Sequence, residues 1–380
     1  EEALAIAVAR RLAMEDGSAA LGTGDRGLAR RVAAELRRFG IEADDSGGVP
    51  LASTPPATLL RLLLDAAFRP GDAVTIMALV KHPLLRCGLA RASVREAAET
   101  IDLVALRGGA GRPDIGGLRA DFERRLAALE RDTRKPFWWS RHGAARLDAA
   151  RALIDALEGA TAPLRALRGG EGSLTGLARL AVEALETLGR DEDGSLAELY
   201  RGDAGDTLAS FLRSLVGASA DLPVEVAEWP DVFAALIAGE TVKPSVAGDS
   251  RVAIWGALEA RLQSVDTLVL GGLNEGSWPR KADPDRFMSR FMKAGMGLEP
   301  PERRIGQSAH DFVMAMGAPK VVLTRAARAG DAPAIASRWL QRIRTFAGQD
   351  IAGIIQARGD AMLHWARRLD RAKSVAFAPR

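Results

Sequence analysis

From Asp266 to Pro279 the chain reads Asp-Thr-Leu-Val-Leu-Gly-Gly-Leu-Asn-Glu-Gly-Ser-Trp-Pro, with its chemically capable side chains just past an apolar run. Leu268 to Leu270 predict a buried strand, and Gly271, Gly272 and Gly276 supply backbone freedom directly after it. Asn274 and Glu275 therefore fall beyond a strand's carboxyl end, where open α/β sheets hold their ligands. Glu275 is of the right type for a general acid, but no partner base or nucleophile flanks it. A structural or DNA-facing loop is the better expectation. Trp278 offers a face on which a base can stack, and equally a plug for the domain core beside Pro279.

Charge points the same way. Between Arg280 and Arg344 thirteen Lys/Arg stand against six Asp/Glu, in a chain whose net charge is only +3. Acidic residues dominate from Glu183 to Asp231 instead. A basic C-terminal half suits phosphate backbone contacts, and it also suits an ordinary solvated surface. Arg26, Arg30, Arg261, Arg280, Lys281, Arg303 and Arg304 are the candidate phosphate contacts, with Asn274 and Trp278 in the same path. Trp138 and Trp139, after Lys135-Pro136-Phe137, either stack bases beside Arg141 or anchor a helical core.

Several chemistries are excluded. A phosphate-cradling loop needs Gly-Lys-Ser/Thr, yet no lysine of this chain follows a glycine. None has a carboxylate two residues before it, which removes an Asp/Glu-x-Lys nuclease core. Gly-x-Ser-x-Gly and His-Glu-x-x-His are missing too. Cys87 is alone, so neither a disulfide framework nor a cysteine-rich metal or iron–sulfur site can form within the chain. His82, His142, His310 and His364 lack ligand spacing, and no metal site is expected. With 380 residues, 47% of them hydrophobic, the chain should form two or three domains. No apolar run is long enough for a membrane span and no signal-like segment opens the sequence, so a soluble, cytoplasmic protein is expected.

The elements that must position these residues follow from periodicity. Residues 2–14 are apolar at helical spacing; Ala19 to Leu21 predict a strand, and Asp25 caps a helix with Leu28, Val32 and Leu36 on one face. Gly40 ends that helix, Ile41 to Asp44 make a short strand, and Pro55-Pro56 start a leucine-rich helix. From about Pro83 to Pro244 Ala, Leu, Arg and Glu recur at helical spacing, as in 122–129, with loops at 108–111 and 169–172. Strands return at 252–255, 268–270 and 321–323, separated by helices that include 301–312 and one opening near Ala336. The predicted plan is a parallel α/β domain built from 1–82 and 245–350, interrupted by an all-helical block at 83–244, with a helical stretch at 351–380.

This order resembles the second RecA-like (2A) domain of superfamily 1 DNA helicases, interrupted by a helical 2B-type insertion. It looks most like the version in AddB-type subunits of bacterial AddAB helicase–nucleases, and more distantly like RecC. The carriers are Gly271-Gly-Leu-Asn-Glu-Gly-Ser-Trp-Pro279, Pro301-Glu-Arg-Arg-Ile305 with the helix it opens, Val321-Val-Leu-Thr-Arg325, and Ala20–Val32 followed by Gly40–Gly48. The resemblance implies a role in double-strand break repair and recombination. Its implied partners are DNA, in the form of the single strand drawn through the complex, and an AddA-type helicase–nuclease subunit. ATP with magnesium and an iron–sulfur cluster are implied only for the full complex, with none in this segment. The P-loop-like and nuclease domains of such subunits would lie on either side.

The resemblance also exposes losses. In active relatives the sixth motif ends on an arginine that touches the nucleotide γ-phosphate. Without gaps that position is Phe312, and Arg325 is a substitute only if a residue after a strand can serve. Trp255-Gly-Ala-Leu-Glu259 keeps Leu258 and Glu259 of the fifth motif but not its His and Lys, and the fourth-motif arginine is replaced around 22–24. A catalytically silent helicase-like segment is therefore expected. The alternatives are the second half of an active motor whose P-loop domain lies outside this chain, and a structural adaptor without DNA contact.

Overall fold

The computed structural model describes residues 17–107, 112–219, 221–243, 249–256, 258–261, 263–281, 287–299 and 301–369. The helix expected at 2–14 and the loop expected at 108–111 lie outside them. The chain divides into two compact units, Glu1–Gly48 with Ser245–Arg380, and Val49–Pro244.

In the first unit the residues around Leu21, Ile254 and Val269 have both faces covered, so their strands read as continuous apolar runs. Strand β1 (Ala19–Gly22) leads through helix α1 (Arg26–Arg37) to β2 (Ala43–Asp45). After the second unit come β3 (Asp249–Trp255) and β4 (Thr267–Leu270), then α2 (Arg290–Gly295), α3 (Pro301–Ala315), β5 (Lys320–Leu323) and α4 (Arg338–Leu369). The strands form one parallel five-stranded sheet in the order β2-β3-β1-β4-β5. Leu21 pairs with Ile254 on one side and Val269 on the other. These three pack with Leu28, Val32 and Leu36 of α1 on one face. Ala20, Ala253 and Leu268 face the opposite way, toward Trp278, Phe312 and Trp339. The two-residue alternation along each strand thus sorts α1 and α3 to opposite faces.

Two local features shape the ends of these elements. Gly40 stands at φ +72 after α1, the left-handed conformation that lets a helix stop sharply. Gly348, at φ +75 and ψ 169, breaks α4 into two helical segments. The second segment carries the expected helix of 351–380 as far as Leu369.

The second unit is built on helices whose core includes Leu59, Leu63, Ile101, Phe122, Leu157, Leu185 and Trp229. This corrects the first predicted boundary. Residues 49–82 belong to the helical unit and not to the α/β layer, because Leu59, Leu60, Leu63 and Leu64 of the helix Pro55–Phe68 are fully buried in that core. The block is also not wholly helical. Val49–Pro50 pairs with Thr241–Val242, and Glu171–Ser173 with Pro223–Glu225, as two short antiparallel ribbons.

Candidate functional site

Strand order sets where a ligand could enter the α/β unit. From β1 the chain crosses by α1 to β2 at one edge, while β4 leads by α3 to β5 at the other. The switch point lies between the carboxyl ends of β1 and β4. Two loops meet there, 22–25 and 271–278. Gly271 donates its N–H to Gly22 O at 2.9 Å, and Thr23 donates to Trp255 O at 3.0 Å. A Cβ on Gly271 would stand 2.9 Å from side-chain carbons of both Leu21 and Leu28, so only glycine fits without a shift. Thr23 is fully buried.

The helix end that normally receives phosphate at such a crevice is already occupied. The Asp25 carboxylate caps α1, accepting from the N–H groups of Gly27 at 2.8 Å and Leu28 at 3.1 Å. A carboxylate here uses donors that an anion would need and repels a second negative charge.

The 271–281 loop is braced from within. Asn274 Nδ2 donates to Ala326 O at 2.8 Å and Ile335 O at 3.2 Å, and its Oδ1 accepts from Ala326 N at 2.9 Å. Glu275 forms an ion pair with Arg338 and accepts from the Arg338 N–H. The hydrogen bond from Arg338 holds the Glu275 carboxyl below its usual range. Glu275 is therefore an anchored anion with its partner in place, without the raised proton affinity of a general acid.

Trp278 is 5% exposed and lies 5.9 Å from Phe312 and 6.1 Å from Trp339, ring centroid to centroid. Phe312 and Trp339 stand 5.1 Å apart, which closes an aromatic triangle beneath α3. This corrects two of the candidate contacts. Trp278 is a core plug with no free face for a base, and Asn274 has its amide committed to backbone groups across the loop.

The candidate cations separate by partner. Arg26 clamps the turn after β2, with Nη2 on both Asp45 oxygens at 2.8 and 2.7 Å and on Gly48 O at 2.9 Å. Arg261 holds the buried Asp311 through Nε at 2.8 Å and Nη2 at 3.0 Å, and the hydrogen bond to Asp311 raises its pKa. Neither guanidinium is free for phosphate, contrary to expectation, because each neutralises an acid of its own unit. Arg303 pairs with Glu299 at 2.8 Å on the surface, an exposed contact worth little. Arg30 is exposed, its Nε donating to Arg26 O at 3.3 Å. Arg280, Lys281 and Arg304 are exposed, with no ion pair among the described residues. Arg325 follows β5, and its Nη1 donates to the carbonyls of Ala326 at 3.2 Å and Ala334 at 3.4 Å.

No motif in the sequence announces the Glu275–Arg338 tie or the partnership of Phe312 with Trp339. The second had a signal in helical spacing instead. Residues 305, 309 and 312 recur on one face of the expected helix, and that periodicity puts Phe312 inward. Among the described residues no group of three or more His, Cys, Asp or Glu side chains is arranged to hold a metal ion, and no helix is long and apolar enough to cross a membrane.

Comparison with known proteins returns no matching family model and no matching curated protein.

Proposed function

We propose that this chain is a helicase-like, catalytically silent DNA-binding segment of an AddB-type subunit, acting in the cytoplasm in double-strand break repair. In this reading the α/β unit corresponds to a 2A-type RecA-like domain and the helical unit to a 2B-type insertion. An AddA-type motor–nuclease is the partner, and the ligand is single-stranded DNA.

The observation that carries the reading is a contrast around the carboxyl end of the sheet. The positions that would serve a nucleotide hold a capping carboxylate, Asp25, and a buried ring, Phe312. The 271–281 loop nevertheless ends on the exposed cations Arg280 and Lys281, which have no ion pair among the described residues. An arginine at the position of Phe312 stabilises transferred charge in phosphoryl chemistry, and phenylalanine supplies none of it. Exposed cations without acidic partners retain their counterions for release on phosphate binding.

Filter binding of a single-stranded oligonucleotide over a salt series, run beside an ATPase assay with the same DNA, tests the proposal. Salt-sensitive binding without turnover is expected. ATP turnover by the unaltered chain that depends on Arg325 would favour an active motor, and no binding at low salt would favour a structural adaptor.

A further inference from the structure

The helical unit carries an aromatic–cationic patch that the reading above leaves unused. After the helix Leu118–Arg131 the chain turns sharply at 134–142. Lys135 Nζ donates to Leu129 O and Glu130 O at 2.6 and 2.7 Å, and the N–H groups of Trp139 and Arg141 close on Pro136 O and Trp138 O, both at 3.0 Å. Trp138 and Trp139 are half-buried against the helical core, their centroids 6.0 Å apart. The Lys135 ammonium stands 5.4 Å from the Trp139 ring centre, and the His142 ring meets Trp138 edge-on at 5.1 Å. The inward positions of the turn are thus filled by two tryptophans.

Phe137 is left outside, 87% exposed on this supported turn. Arg134 and Arg141 flank it, both exposed and without an ion pair among the described residues. On the helices beside it Arg119, Arg124 and Arg151 are paired, and Arg131 donates through Nε to Ala127 O at 3.0 Å. From Arg131 to Arg141 four cations stand against Asp132 alone, in a unit with 24 Lys/Arg against 27 Asp/Glu. A largely exposed aromatic ring flanked in sequence by guanidiniums with no ion pair among the described residues, in an otherwise acidic unit, calls for a ligand carrying both a flat apolar face and negative charge.

We propose that this turn is a second contact for single-stranded nucleic acid, with a base stacked on Phe137 and the adjoining phosphates met by Arg134 and Arg141. The inference rests on the nucleic-acid reading for its ligand class but uses a separate surface. Single strands alternate planar bases with phosphates, and ring-plus-cation platforms bind them with little sequence preference. An acidic peptide would satisfy the arginines without offering a planar face to the ring.

The test is photocrosslinking of the full chain to an oligothymidylate carrying 5-iodouracil, with peptide mapping and binding titrations. A crosslink on the 135–141 peptide is expected, with affinity falling roughly tenfold for Phe137→Leu and held by Phe137→Tyr. Arg134→Ala with Arg141→Ala should flatten the log–log salt slope by about 1.4. Crosslinks confined to 280–304, with Phe137→Leu binding unchanged, would overturn this site and leave the proposed function standing. Absence of any binding would overturn both. Phe137-dependent binding of polyglutamate in preference to the oligonucleotide would overturn the site in favour of an acidic protein partner.

Discussion

Phe312 occupies the position where the helicase resemblance calls for an arginine, and its ring is walled in by Trp278 and Trp339. A guanidinium there would be buried without an acidic partner, which costs several kcal/mol. Phe312→Arg is therefore expected to lower the melting temperature steeply, by about 3–5 kcal/mol of stability, and to bring no ATPase activity. A folded, ATP-hydrolysing variant would show that the position faces solvent. His82 gives a second test at this scale. Its Nδ1 accepts from Leu84 N at 3.2 Å, so the hydrogen-bond geometry assigns the proton to Nε2, which meets Thr58 Oγ1 at 3.1 Å. Burial pushes its pKa down to about 4. The unfolded chain takes up this proton near pH 6.5, so the stability from neutral His82 is fully present above that pH and declines as pH falls toward 4. About 1–3 kcal/mol should disappear over that window, read as a falling urea midpoint. His82→Gln should flatten the decline, and an unaltered profile would mean that other groups set it.

At the scale of elements, the short 271–278 loop owes its shape to hydrogen bonds that cross to residues 324–337. Removing the Asn274 amide leaves Ala326 N without its acceptor, while Ile335 O keeps the Glu275 N–H and Ala326 O keeps Arg325 Nη1. Asn274→Ala should cost about 1–3 kcal/mol, seen as a lower urea midpoint at unchanged slope. A neutral substitution would mean that the loop is held by Glu275 and Arg338 alone. Much of this architecture was legible beforehand. The strands at Val252, Leu268 and Val321 announced themselves as short runs of β-branched residues and leucine, the one at Ala19 as an apolar Ala-Ala-Leu run before a glycine, and Asp25 as the cap of α1. The destination of 49–82 was not legible. Leu59 to Leu64 declare a buried helix by their number, but a single chain does not say which core receives it. The site was legible only as a location. Spacing put Asn274 to Lys281 past a strand end, while the pairing of Arg26 with Asp45 and of Arg261 with Asp311 arises from contacts 19 and 50 residues apart that periodicity does not encode.

For the whole molecule, charge is divided between the units. The α/β unit carries 28 Lys/Arg against 22 Asp/Glu, a surplus of six, and the helical unit 24 against 27, a deficit of three. A polyanion should therefore be drawn mainly to the α/β unit, with the Phe137 turn as a local exception. With Arg26 and Arg261 committed as internal clamps, Arg280 and Lys281 are the exposed cations that the 271–281 loop itself offers, beside Arg30 and Arg304 on the helices. The most direct test of single-strand binding through that loop is the salt dependence of the anisotropy of a labelled oligothymidylate, compared between the full chain and its Arg280→Ala, Lys281→Ala double variant. Binding should weaken linearly on a log–log plot, with a slope shallower by about 1.4 in the variant, roughly 0.7 for each lost contact. An identical slope and affinity in the two proteins would contradict binding through the loop.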